Sequence, residues 1–335
     1  VILHDQFDKS RIVKRERTIW RYRHFYPYVK REKVVSLGEG NTPLVKVQDF
    51  LWFKLDYLMP TGSYKDRGSS TLISGLLSTL GKVSGLSEDS SGNAGASIAA
   101  YCARAGVNLK IYVPEMASRM KLAQTSIYGA EVTKVPGTRE EVSKRAQDAG
   151  KGFLYVGHIW HPYFKDGIRT LAYEISEQAG WKTFDRIYVP VSAGTLILGL
   201  INGFRHLKSS NIIEEIPKVV ASQTEQVSPV YHRLKNLPYH PPAKITSVAD
   251  ALVSTNPPLL DEMIKVLNEV KADSEIVDEN EIVAAHTLLA RMGFYVEPSS
   301  AVAYAAYMKQ VKKMRVDRNE RVLIILTGIG LKRTL

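Results

Sequence analysis

The chain has 335 residues, 44% of them hydrophobic and 24% charged, with 23 Gly and 15 Pro. That composition points to a soluble globular protein with room for two modest domains, and it excludes disorder, collagen-like repeats and a small disulfide-stapled scaffold. One cysteine rules out an intramolecular disulfide, and charge interrupts every apolar run before the ~20 residues a membrane helix needs. The N-terminal stretch lacks the charged, apolar and small-residue succession of a secretory signal, so a cytoplasmic location with no membrane partner is expected.

The formal net charge is +11, and most of it is local. Residues 9–33 carry ten Lys and Arg against Glu16 and Glu32. Arginines interleaved with Trp20, Tyr22, Phe25, Tyr26 and Tyr28 are residue types that stack on bases and grip phosphates. The same pattern also suits an arm packed by its aromatics over the protein's own body, with the charges outside. No helix-turn-helix, zinc-finger or RNP signature accompanies the charge, which argues against nucleic acid as a partner.

After this arm comes a turn cluster at 38–44, and short β-rich runs then alternate with helical patterns. The apolar runs predict strands at 109–113, 131–135, 153–156, 186–191, 218–222 and 321–327. Helical periodicity covers about 64–80, 94–105, 118–128, 138–149, 167–179, 195–207, 279–292 and 299–313. Gly106, Gly129 and Gly150 stand as helix stops. Alternating strands and helices imply an α/β protein with parallel strands and crossover helices, whose chemistry belongs in the loops after strands.

Four such loops carry unusual residue sets. In Pro60-Thr-Gly-Ser-Tyr-Lys65-Asp-Arg-Gly68, Ser63 is placed to cap the next helix and Lys65 falls in its first turn, where the helix dipole favours a neutral amine. A Schiff-base lysine needs that, although an exposed lysine balanced by Asp66 fits the motif as well. Glu88-Asp-Ser-Ser-Gly-Asn93-Ala-Gly95 strings amides from Ser90 to Ala94 along a helix start, either as an anion nest or as a plain Ser/Asn cap. Ser192-Ala-Gly-Thr-Leu196 follows a strand and opens a helix, as a phosphate cradle does, without a Walker or GxGxxG pattern. Thr327 ends the last strand and offers a neutral hydroxyl, while Cys102 on an Ala-rich helix reads as a small core residue. Eight scattered histidines and one cysteine make no metal constellation.

Taken together with Glu39-Gly-Asn-Thr-Pro-Leu44, Val296-Glu-Pro-Ser-Ser-Ala301 and Thr327-Gly-Ile-Gly-Leu-Lys332, these stretches resemble the fold-type II pyridoxal-phosphate enzymes, the tryptophan synthase β-like family, and within it the threonine synthases. The resemblance runs from Trp20 to Lys332. It implies an α/β fold of two open, mostly parallel sheet domains flanked by helices: an arm at 1–35, an N-terminal domain at 36–157 and a C-terminal domain at 158–335. The implied activity is conversion of O-phospho-L-homoserine and water to L-threonine and phosphate, or an elimination or β-replacement on an unphosphorylated amino acid.

By the same resemblance, Lys65 binds pyridoxal phosphate as a Schiff base and acts as the catalytic base, and Asn93 contacts the cofactor's phenolic oxygen. Ser192, Ala193, Gly194, Thr195 and Leu196 hold the cofactor phosphate, and Thr327 faces the ring nitrogen. Ser90, Ser91 and Ala94 hold the substrate carboxylate, with His161 and Lys165 beyond them, and a homodimer is expected. Glu297 is expected to cap or orient a helix. The sequence departs from the family where an arginine would bind the substrate phosphate: Phe164 stands there, and His161 replaces an asparagine. Lys165, His158, His161 and Arg169 are the candidates to compensate.

Overall fold

The computed structural model describes residues 5–117 and 119–332, with side chains described throughout except at 119–121. In chain order its strands and helices are β1 (Leu44–Gln48), β2 (Leu51–Leu55), α1 (Lys65–Leu80), β3 (Gly85–Glu88), α2 (Asn93–Ala105), β4 (Asn108–Pro114), α3 (Arg119–Ile127), β5 (Glu131–Val135), α4 (Arg139–Gln147), β6 (Phe153–Tyr155) and α5 (Pro162–Ile168). There follow α6 (Thr170–Gln178), β7 (Arg186–Pro190), α7 (Thr195–Ser209), β8 (Lys218–Thr224), α8 (Pro229–Leu234), α9 (Leu260–Glu269), β9 (Asp273–Val277), α10 (Glu279–Arg291), α11 (Pro298–Lys312) and β10 (Val322–Leu326). All six expected strands are present. The helix expected over 167–179 is two helices, α5 and α6, and the start of α5 is set by Pro162 with His161 as its cap.

The chain divides into two units. Residues 1–41 and 59–170 make the first, and 42–58 with 171–335 the second. This differs from the division expected at 36 and 158, and the reason is strand pairing. β1 and β2 form an antiparallel hairpin, and β2 then runs parallel to β10, with Leu51 opposite Val322 and Leu55 opposite Leu326. Backbone hydrogen bonds of a sheet edge thereby draw residues 42–58 to the C-terminal half of the chain.

The first unit contains a parallel four-stranded sheet in the order β5-β4-β3-β6. Its strands are joined by helices, and Gly106 ends α2 in the left-handed conformation (φ +66°) that a glycine tolerates without Cβ strain. The basic arm belongs to this unit. Ile19, Trp20, Tyr22, Phe25 and Tyr26 are buried, while Lys14, Arg15, Arg17, Lys30 and Arg31 are exposed. One face of α1 receives it through serines spaced four apart. Ser70 Oγ accepts from Trp20 Nε1 (3.0 Å), Ser74 Oγ from the Val35 amide (2.8 Å) and Ser78 Oγ from the Lys30 amide (3.0 Å). The aromatics that matched a base-stacking reading are spent on internal packing.

The second unit carries the six-stranded sheet β1-β2-β10-β7-β8-β9, parallel except at the hairpin. β7 and β10 are buried at every residue, as strands covered on both faces must be; β10 is apolar throughout, and β7 begins at Arg186, whose charge is met by Glu320 (2.6 Å). α10 and α11 pack their Ile282, Leu289, Val302 and Ala305 into the core that this sheet builds with Phe53, Tyr188 and Ile324.

Candidate functional site

Lys65 is the first residue of α1, a helix of 16 residues whose N-cap, Tyr64, makes no side-chain capping bond. The expected Ser63 cap is absent. The Ser63 hydroxyl is buried without a hydrogen-bond partner among the described residues. What holds the turn is Asp66, fully buried. Its Oδ2 accepts the Thr61 amide (2.7 Å), and its Oδ1 accepts the hydroxyls of Thr61 and Ser97 (2.6 Å each). Asp66 is therefore occupied with the loop and with α2 rather than balancing Lys65. Among the described residues the Lys65 amine makes no ion pair or hydrogen bond; it lies over the rings of Tyr64 (4.8 Å) and Phe164 (5.8 Å).

Ser90, Ser91 and Gly92 form the turn between β3 and α2, and Asn93 and Ala94 open the helix. The α2 N-cap is Gly92, again without a side-chain capping bond, so the first amides of the helix converge on this turn. Within the turn the Gly92 amide donates to Ser90 Oγ (3.3 Å). The turn is compact because Gly95 has no side chain; a Cβ there would stand 2.0 Å from the Ser90 carbonyl oxygen. Cys102, further along α2, is buried, and burial pushes its thiol pKa up, which fits a core residue.

The α5 segment completes the first unit's share of expected residues. His161 caps α5, its Nδ1 accepting the Tyr163 amide (3.3 Å), and burial pulls its pKa down to about 4. Phe164 is fully buried and fills the space left by Gly68, where a Cβ would meet its ring at 2.6 Å. Arg169 is buried against Asp166 (3.1 Å) and donates to the Phe25 carbonyl (3.3 Å). His158 is held by Glu88 (Nδ1 to Oε1, 2.7 Å). Lys165 is half-buried one residue after Phe164. Of the four candidates to replace the missing arginine, two are committed to carboxylates, and a third is neutral at physiological pH. Glu88 and Asp66 both lie in loops singled out from the sequence, but their roles as partners of His158 and of Thr61 and Ser97 emerge only from the fold.

In the second unit, Ser192, Ala193 and Gly194 follow β7, and Thr195 and Leu196 open α7. Gly194 is the N-cap at φ +102°, a left-handed backbone that requires glycine, and a Cβ on it would also displace Met263 Sδ, which would stand 2.7 Å away. With no side-chain capping bond and 15 residues of helix behind it, this N-terminus is suited to an anion. Thr327 leaves β10 with its amide bonded to Ser300 Oγ (2.8 Å), and the Glu297 amide donates to the Gly328 carbonyl (2.9 Å). Glu297 is the N-cap residue of α11, though its side chain makes no capping bond.

A family model described as pyridoxal-phosphate dependent enzyme matches residues 35–328. Among curated proteins, the threonine synthase of Methanocaldococcus jannaschii is 32% identical over 98% of this chain and 84% of its own length. That of Methanosarcina acetivorans is 31% identical over 94% and 80%. Among solved structures, a pyridoxal 5'-phosphate-dependent aspartate racemase aligns at a TM-score of 0.73 with 25% identity, covering 86% of this chain and 90% of that one. Maize serine racemase aligns at 0.74 with 23% identity over 97% and 94%, a likeness of fold.

Proposed function

Because the chain belongs to the pyridoxal-phosphate-dependent enzyme family, we propose that it is a lyase converting O-phospho-L-homoserine and water to L-threonine and phosphate, the reaction of a threonine synthase. The observation that carries this reading is Lys65: an amine with no ion pair or hydrogen bond among the described residues, on a turn locked by buried Asp66 and tied through Ser97 to the helix that the Ser90 turn opens. The residues fit the cofactor. The glycine-demanding start of α7 suits its phosphate, and the orphaned Ser63 hydroxyl lies two residues before the lysine.

In this reading Lys65 holds the cofactor's aldehyde carbon, Asn93 meets its phenolic oxygen, and Ser192, Ala193, Gly194, Thr195 and Leu196 bind its phosphate. Thr327 faces the ring nitrogen, and Ser90, Ser91 and the Ala94 amide take the substrate carboxylate. His161 and Lys165 serve the substrate's far end. When bound, pyridoxal phosphate draws off the electrons released at the substrate's α-carbon, and a neutral hydroxyl at the ring nitrogen suits elimination and replacement better than transamination. Lys65 removes the α-proton and later returns it. The Ser90 turn orients the substrate by its carboxylate, which fixes the bond presented to Lys65.

A second reading, an unphosphorylated hydroxy or O-acyl amino acid as substrate, is favoured by one observation: Phe164 is buried beside Lys65 while Arg169 and His158 are bound to carboxylates. A cytoplasmic homodimer is the setting we infer, and light scattering on the purified protein tests the dimer. No described helix is long and apolar enough to cross a membrane.

The test of function is phosphate and threonine release from O-phospho-L-homoserine by protein supplied with pyridoxal phosphate, with Lys65→Ala as the blank. Equal amounts of both products, lost in the variant, are expected. Cofactor absorbance at Lys65 with no turnover of this substrate, but turnover of serine or threonine, replaces the first reading with the second.

A further inference from the structure

Beside Lys65, the first unit holds a buried carboxylate and imidazole that the assignments above leave unused. Glu88 closes β3 with no exposed surface and spends both oxygens on His158: Oε1 lies 2.7 Å from Nδ1, and Oε2 accepts the backbone amide at 3.1 Å. A carboxylate that accepts from Nδ1 places the ring proton there and leaves Nε2 with the lone pair. Nε2 has no hydrogen-bond partner among the described residues. His286, by contrast, spends its Nε2, which lies 2.9 Å from the Val296 carbonyl oxygen. The His158 ring packs edge-on against Phe164 (5.5 Å), the same ring over which the Lys65 amine lies. Tyr155 and Cys102 are ionisable groups near enough to feel Glu88, and burial pushes both pKa values up, so neither adds charge to the pair.

An imidazole with one nitrogen fixed by a carboxylate and the other unpartnered is the arrangement of a proton-transfer group with its orienting partner. We propose that His158, oriented by Glu88, carries the proton of the oxygen that joins or leaves the substrate's β-carbon. The inference rests on the proposed chemistry at Lys65. In threonine formation, the proton lost from Cβ is carried by Lys65 to Cγ, the pair it leaves behind forming the Cβ–Cγ double bond as phosphate departs with the C–O pair; the water oxygen then bonds to Cβ, one of its O–H bonds breaks and the proton passes to Nε2. The electron pair displaced to the α-carbon is taken up by the proton Lys65 returns. Nε2 then gives its proton to the phosphate whose bond to Cγ has broken. Run backwards from a β-hydroxy amino acid, the same nitrogen protonates the departing hydroxide, so the assignment serves either reading of the substrate.

The test separates the two ends of the substrate in holoenzyme carrying His158→Gln or Glu88→Gln. Three quantities are read: cofactor absorbance at Lys65, deuterium exchange at Cα of L-threonine, and the β-oxygen step. The last is followed as threonine formed from O-phospho-L-homoserine or 2-oxobutanoate formed from L-threonine, whichever the wild type supports. Absorbance and α-exchange are expected within about twofold of wild type, with the β-oxygen step slowed roughly 10²–10³-fold in His158→Gln and about tenfold or more in Glu88→Gln. A β-oxygen step within threefold of wild type in both variants overturns the proposal, and so does a parallel fall of all three readouts, which marks a structural role. Wild-type protein with no cofactor absorbance, or with α-exchange that survives Lys65→Ala, removes the reading at Lys65 and the proposal with it. Should a substitution unfold the chain, ¹⁵N-histidine spectra of wild-type holoenzyme decide: His158 Nε2 must shift when L-threonine is added, and an unmoved resonance overturns the assignment.

Discussion

His161 shows how burial resets a side chain selected for its charge. As the cap of α5 it accepts the Tyr163 amide through Nδ1, and its pKa falls to about 4 because the charged ring is poorly solvated. It is neutral at pH 7 and reaches a substrate only as a hydrogen-bonding group. The folded-state pKa lies below the unfolded value of about 6.5, so the unfolded chain binds the proton first as pH falls. Its contribution to stability is whole above about pH 6.5 and is lost on the way down to about 4. Each pKa unit is worth about 1.4 kcal/mol, so roughly 1–3 kcal/mol should disappear over that window. His161→Asn keeps a capping acceptor and does not titrate. Urea unfolding at pH 7 and pH 5 should therefore show a smaller pH loss in the variant, and equal losses in both proteins would refute the shift.

At the scale of elements, composition and periodicity passed over β3, β9, α8, α9 and the β1–β2 hairpin, of which the hairpin changes the division of the chain most. β1 and β2 are short, and the strand that gives β2 a sheet to join is the last of the chain. Its attachment is polar as well as apolar. Lys54 on β2 is fully buried, with Nζ 2.5 Å from Glu174 Oε1, 2.6 Å from the Thr42 carbonyl and 2.8 Å from Gln178 Oε1, so the hairpin is fastened to α6. Removing one partner of such a pair strands the other charge in the core. Lys54→Met should cost roughly 3–5 kcal/mol, and the double variant Lys54→Met/Glu174→Leu should recover much of it. Denaturant midpoints of the two variants check this; a double variant less stable than the single would show the pair to be net stabilising. Helices were easier to read than this hairpin because their signals are local. α10, for example, begins at a capping box in which Asp278 accepts the Glu281 amide and Glu281 accepts the Asp278 amide.

For the whole molecule, the question is what a basic arm is for that carries ten Lys and Arg against two Glu, most of the net charge of +11. Burial of Trp20, Tyr22, Phe25 and Tyr26 makes the arm part of the first unit's core, and its cations are the solvated side of that packing. Deleting residues 5–33 should therefore lower the thermal unfolding midpoint sharply or leave no soluble protein. Binding of single-stranded oligonucleotide by the full chain should be weak and abolished by moderate salt. A deletion that leaves the midpoint unchanged, or binding that persists at high salt, would restore a recognition role to the arm.

The sequence by itself determined the α/β class, six of the ten strands among the described residues, most helices and the family. Each rests on information carried within a few residues: periodicity, glycine stops, and the loops around Lys65, Asn93, Gly194 and Thr327. Only the tertiary structure decided which unit owns residues 42–58, that Asp66 faces α2, that Arg169 and His158 are bound to Asp166 and Glu88, and that Phe164 packs into the gap at Gly68. Those outcomes depend on pairings between residues far apart in the chain, where a buried charge takes whichever partner the packing brings within hydrogen-bond distance. Sequence spacing carries no record of that choice.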